Sequence, residues 1–175
     1  MEQMIEKLNA LPLGQINANA FRDCHYDCLC YLFDEPERFH KEKIIDSGNQ
    51  RVDILYSNHK CDTFFHDELA MLHGFKLPYV VFETKNYQVE GGNNELNQIT
   101  GYLIDKIGEV AVLIANSFKN KSLIVEKSRI WLKNHRKVIF SLDNKDIINL
   151  LKLKMSHNEQ AINSFWRYRY EEIAL

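Results

Sequence analysis

Apolar side chains along this chain recur at two different periods, and the alternation between those periods lays out a sheet with helices around it. Over residues 17–33 the apolar positions Phe21, Cys24, Cys28, Leu29 and Leu32 repeat at helical spacing. Asp34-Glu35-Pro36-Glu37 stops that helix. Residues 1–12 carry a weaker helical pattern, broken by Pro12-Leu13-Gly14. Residues 41–46 and 51–57 read as strands on either side of the turn signal Ser47-Gly48-Asn49, which predicts a hairpin. Residues 78–85 form a third strand. Its apolar residues fall on both parities (Tyr79 and Val81, Val80 and Phe82), as in an interior strand covered on both faces. The stretch 59–76 fits either a short helix around Phe64 to Leu72 or an irregular excursion.

Gly91-Gly92 then sets up a helix over 93–106. A strand over 110–115, a helix over 122–134 and a strand over 138–142 follow. Asp143-Asn144 caps a helix to 153, and a last helix covers 158–173. No repeat, low-complexity tract or linker divides the chain. The order predicts a single α/β domain over 1–175, with a mixed central sheet flanked by helices. Its core spans about 17–142, and 143–175 is a helical extension.

Composition changes this picture little. At 175 residues, 45% apolar and 26% charged, the chain matches one globular domain with a core of its own. No run of about twenty apolar residues is present. The first residues lack both a basic and an apolar signal region, so a cytoplasmic location is expected. The net charge of −2 and pI near 6.4 argue against a domain that grips nucleic acid by bulk charge. Cations that neutralise phosphates must then be local, or come from a second subunit or a partner. Cys24, Cys28, Cys30 and Cys61, with His25, His40, His59 and His66 nearby, raise the question of zinc. No Cys-x-x-Cys pair is present, however, and Cys24 and Cys28 at i, i+4 suit a buried helix face. Free, partly buried thiols in a reducing compartment are the adopted reading.

The candidate chemistry lies at the polar ends of the strands. Glu83 and Lys85 are two apart on a strand and so project from one face. Asp53, in Arg51-Val52-Asp53-Ile54-Leu55-Tyr56, joins them if the two strands are neighbours. The bland explanation of a bare Glu-x-Lys is a salt bridge at a sheet end, which contributes little. Context moves the balance: the hairpin carries its own acid, and the helix after the third strand returns Gln98 and Tyr102 on one face at i, i+4. Two carboxylates are oxygen ligands for a hard divalent cation. With an ammonium beside them, they suit phosphodiester cleavage.

Asp53, the string Glu83-Thr84-Lys85-Asn86-Tyr87 and the spacing Gln98-x-x-x-Tyr102 resemble the PD-(D/E)XK nuclease superfamily. Within it, the likeness is to restriction-endonuclease-like proteins of the Mrr and Holliday-resolvase-like branches. It covers roughly residues 17–116 and implies a restriction-endonuclease-like αβββαβ core. The residue before Asp53 is Val52 where the pattern has proline. The resemblance implies that Asp53, Glu83 and the Thr84 carbonyl ligate Mg²⁺, with Mn²⁺ able to substitute. Lys85 would orient or deprotonate the attacking water, or steady the pentavalent phosphate. Gln98 would support the water, metal or phosphate, and Tyr102 would pack or hydrogen-bond beside it. Many members add an acid from the first helix; Asp23 and Asp27 are the candidates, and Asp27, six residues before Phe33, is nearer the expected place.

The expected function is therefore an Mg²⁺-dependent endonuclease acting on double-stranded DNA, in bacterial defence, restriction or DNA processing. The alternatives are an inactive module of the same fold that binds nucleic acid or a partner, and an RNA-directed nuclease. A homodimer is expected because a duplex has two strands to cut. Other subunits of a defence system are further partners to expect. Arg51 and Tyr102 are candidate nucleic-acid contacts. Arg38, Lys60 and Lys76 read as solvated charge rather than a phosphate rim. Phe165-Trp166-Arg167-Tyr168-Arg169-Tyr170 reads as a docking helix in preference to a base-stacking segment.

Overall fold

The β-branched and aromatic runs form a five-stranded sheet in the computed structural model of the chain, which describes residues 2–45, 50–90 and 94–175. Its strands are β1 (Phe39–Ile45), β2 (Gln50–Ser57), β3 (Tyr79–Val89), β4 (Val110–Phe118) and β5 (Val138–Asp143), lying side by side in chain order. β1, β2 and β3 pair antiparallel, whereas β3, β4 and β5 pair parallel. The helices are α1 (Glu2–Ala10), α2 (Ala18–Phe33), α3 (Asn94–Tyr102), α4 (Lys121–His135), α5 (Asn144–Met155) and α6 (Glu159–Ala174). Parallel neighbours need crossovers, and α3 and α4 supply them. Among the described residues, no helix is long and apolar enough to cross a membrane. The predicted turn Ser47-Gly48-Asn49 and the helix start at Gly91-Gly92 lie outside the described residues.

The interior strands are covered on both faces, as their two-parity apolar pattern requires. Phe82, Val112 and Phe140 pack with Phe21, Leu29 and Leu151 on one side. Val81, Leu113 and Ile139 pack with Leu96, Ile99 and Ile124 on the other. The stretch between β2 and β3 holds a π-helical segment (Phe64–Leu72) started by Thr63, whose hydroxyl accepts from the His66 N–H. Its Phe65 meets Trp166 of α6 at 4.8 Å between ring centroids. α6 is thereby docked, and its arginines are engaged: Arg167 with Glu68, and Arg169 with Asp146 at 2.6 Å.

Three boundaries depart from the sequence expectation by three residues or more. β3 and β4 run past Lys85 and Ala115 because polar residues there still pair through their backbones, Gln88 with Ser117 after a register shift. Side-chain pattern does not report such pairing. α3 ends at Tyr102 rather than 106. The Leu103 N–H bonds the Thr100 carbonyl, and the chain turns to bury Leu103 and Ile107. Gly108, at φ 121, completes the turn where a Cβ would lie 2.6 Å from the Lys76 carbonyl oxygen.

Two features of this scaffold make a cleft. The β2–β3 ladder runs from Ser57 with Tyr79 to Ile54 with Phe82 and stops; the next residues on each strand are Asp53 and Glu83. Side-chain alternation breaks at the same place, since Val52 and Ile54 enter opposite core layers. The second feature is Asn86, 2% exposed on β3. Its Nδ2 donates to the carbonyls of Pro12 (2.9 Å) and Gly14 (3.0 Å), and its backbone carbonyl accepts from the Gly14 N–H at 2.9 Å. The α1–α2 connection is thus fastened to the strand that carries the acid and lysine. Asn86→Ala is expected to lower unfolding free energy by about 2 kcal/mol, from two lost buried hydrogen bonds. Urea denaturation measures this; an unchanged midpoint would mean the connection is held by something else.

Candidate active site

The strands' separation sets out the site. Where the ladder stops, the Thr84 N–H has lost its backbone partner on β2. Asp53 replaces it: Oδ2 accepts from the Thr84 N–H at 2.9 Å and from its hydroxyl at 2.7 Å. A strand residue's N–H and C=O leave the backbone on the same side. The Thr84 carbonyl is therefore turned toward Asp53 as well.

Glu83 is 3% exposed and faces α3. Its Oε1 accepts from Lys85 Nζ at 2.7 Å and from Gln98 Nε2 at 3.0 Å. Gln98 closes the circuit, its Oε1 accepting from Lys85 at 2.9 Å and its Nε2 donating to the Tyr102 hydroxyl at 2.6 Å. These partners fix which end of the Gln98 amide points where. Oε2 of Glu83 is buried with no hydrogen-bond partner among the described residues. Burial, and then the neighbouring Asp53 charge, push the Glu83 carboxyl up from an ordinary 4.5 to about 7, against the opposing pull of Lys85. Burial and the Glu83 charge also raise the Tyr102 hydroxyl.

These groups open into a cleft of about 520 Å³. Asp53, Glu83, Thr84, Lys85, Gln98, Tyr102 and Arg51 all line it, so the structure brings together these residues singled out in the sequence. Asp27 is the exception. It lies beside Lys7 of α1 at 3.8 Å, 51% exposed, and takes no part in the cleft. The helical repeat explains the miss: Ala18, Asn19 and Arg22 are the α2 residues that face the cleft, and Asp27 is about 140° around the helix from Arg22. Asp23, the other acid considered, is paired with Lys41 at 3.2 Å and with Arg22. Arg38, Lys60 and Lys76 do not line the cleft either.

Sequence reasoning passed over Arg22, Asn19 and Gln15, and gave Asn86 and Tyr87 no role beyond their place in the motif; all five line the cleft. Asn19 and Arg22 share a helix face at i, i+3, a signal that a search for acids alone ignores. Tyr87 donates to Glu95 at 3.1 Å, tying β3 to α3 at the cleft's outer edge.

Among the described residues, no three His, Cys, Asp or Glu side chains converge. The cleft offers two carboxylates and one carbonyl, with an ammonium adjoining. That donor set fits a hard cation that keeps several waters. The unpartnered Glu83 Oε2 and the mutual repulsion of the two acids both favour positive charge between them. No protein-family model, curated protein or solved structure matches this chain.

The raised Glu83 carboxyl has a measurable effect on the protein alone. Between pH 4.5 and about 7 the folded chain holds a proton that the unfolded chain releases. Its contribution to stability is complete below 4.5 and is lost as pH rises through 7. Glu83→Gln keeps the neutral form at every pH. It is expected to be more stable than the parent at pH 8 by on the order of 3 kcal/mol, with the gap closing towards pH 4.5. Denaturation at both pH values tests this; a gap independent of pH would refute it.

Proposed function

We propose that this protein is a divalent-cation-dependent endonuclease that hydrolyses phosphodiester bonds in double-stranded DNA. We assign its sheet and helices to a restriction-endonuclease-like core of the PD-(D/E)XK type. One observation carries the reading: two carboxylates emerge where β2 and β3 part, and a lysine and a glutamine are locked onto the more buried acid. The order of strands and helices around that point, helix–hairpin–strand–helix–strand, supports it.

Asp53, Glu83 and the Thr84 carbonyl are the groups that would hold Mg²⁺ or Mn²⁺. Bound there, the ion would supply Lewis acidity towards a phosphoryl oxygen and lower the pKa of an attacking water. The chain's own residues do the positioning. Asp53 is oriented by two hydrogen bonds from Thr84. Lys85, fixed between Glu83 and Gln98, has its ammonium at the cleft wall, where it can hydrogen-bond a phosphoryl oxygen or exchange a proton with water. Gln98 holds both the lysine and the acid, so it acts on the chemistry through them. Cutting both strands of a duplex calls for two such clefts, which a twofold homodimer supplies. Bacterial defence and DNA processing are the settings this activity suits.

The test is cleavage of supercoiled plasmid with Mg²⁺ or Mn²⁺. The parent chain is expected to nick and linearise it, and Asp53→Ala, Glu83→Ala and Lys85→Ala to lose on the order of 100- to 1,000-fold in rate. Calorimetry is expected to show Mn²⁺ binding by the parent and none by Asp53→Ala. Indistinguishable preparations in both measurements would eliminate the proposal in favour of a non-cleaving module. Activity confined to an RNA substrate would redirect it to RNA.

A further inference from the structure

Glu42 has a backbone conformation that strand residues rarely take. Its φ of 50 is left-handed, although its neighbours are regularly paired, Lys41 with Ile54 and Lys43 with Val52. Those pairs leave Glu42 across from Asp53. Its Oε1 lies 2.9 Å from Nη1 of Arg22 and 3.2 Å from Nη1 of Arg51. One anionic oxygen is therefore shared by two guanidinium groups, and both guanidinium residues line the cleft that contains Asp53, Glu83 and Lys85.

The two arginines are not alike. Arg22 is 8% exposed, and its guanidinium also donates to Asp23 at 3.2 Å and Asn19 at 3.4 Å. It is a fixed cation, built into the wall from α2. The Arg51 side chain is 65% exposed and that of Glu42 is 43% exposed. Glu42 can therefore turn into water, leaving the buried Arg22 to its remaining partners Asp23 and Asn19, and Arg51 can follow an incoming ligand. Guanidinium groups match phosphate oxygens as they match carboxylates.

We propose that Arg22 and Arg51 form a clamp for a backbone phosphate of nucleic acid, and that Glu42 occupies this clamp in the free protein until the phosphate displaces it. The identity of the anion rests on the nuclease reading; the clamp itself rests on the three side chains. With Glu42 in place, its carboxylate occupies both guanidinium groups, and Arg22 is held by Asp23 as well. Displacing Glu42 leaves the arginine pair for the phosphate. This gives a chain of net charge −2 a local cationic grip that its overall composition does not reveal.

The experiment is fluorescence anisotropy of a short labelled DNA duplex, with Ca²⁺ in place of Mg²⁺ so that binding is read without cleavage. Glu42→Gln is nearly isosteric and exposed, and it should bind about tenfold more tightly than the parent. Arg51→Ala should bind about tenfold more weakly, with a salt dependence shallower by about one unit. In the double variant, Glu42→Gln should add much less than it does alone, because half the clamp is gone. Arg22→Gln should weaken binding as well, and the two exposed positions decide the matter if that buried change unfolds the chain. The clamp is overturned if Glu42→Gln binds no more tightly than the parent, if its gain persists undiminished without Arg51, or if no preparation binds the duplex. The nuclease reading fails separately: Asp53→Ala and Glu83→Ala would cleave as the parent does, whatever the anisotropy shows.

Discussion

An antiparallel ladder that ends inside a sheet leaves backbone donors and acceptors without partners, and a protein must satisfy them or pay for them. Here the ladder between β2 and β3 ends at Ile54 and Phe82, and the Asp53 carboxylate takes the Thr84 N–H in place of a backbone carbonyl. This substitution governs the rest of the site. It holds the two strands at a fixed separation, turns an acid into the gap and opens room for α2 and the preceding turn to form the opposite wall. β4 stays paired with β3 through Lys85, so the opening is confined to one edge of the central strand.

The second constraint is electrostatic. Glu83 lies where a lone carboxylate would be disfavoured in its charged form, close to another acid. Lys85, Gln98 and Tyr102 form a hydrogen-bonded circuit that offsets part of that cost and fixes every orientation in it. What the circuit leaves unmet is specific: one oxygen of Glu83 and the repulsion between two acids. A divalent cation would relieve both at once. The site's construction and the proposed chemistry therefore rest on the same deficit of positive charge.

Much of this was legible in the residue pattern. A period of two put Glu83 with Lys85, a spacing of four put Gln98 with Tyr102, and the two-parity strand announced a sheet covered on both faces. Those relations are local, and local geometry decides them. Asp27 failed because the helix was placed by its apolar stripe, while the direction of its polar faces depends on how α1 and α2 settle on the sheet. Arg22 was overlooked because its value comes from Glu42, twenty residues on in another element, and nothing in a linear pattern announces a left-handed residue within a strand. The late parts of β3 and β4 were hidden for a simpler reason, since backbone pairing does not require apolar side chains.

Asn86 has a consequence beyond the hydrogen bonds it makes. By fastening the α1–α2 connection to β3, it gives both walls of the cleft a common reference point. A small displacement of the central strand would carry the turn and the start of α2 along with it, so the cleft's width is insulated from breathing motions of the sheet. The same coupling makes this connection a poor place to lengthen the chain: an insertion there would move one wall away from the other, although it lies far in sequence from either acid.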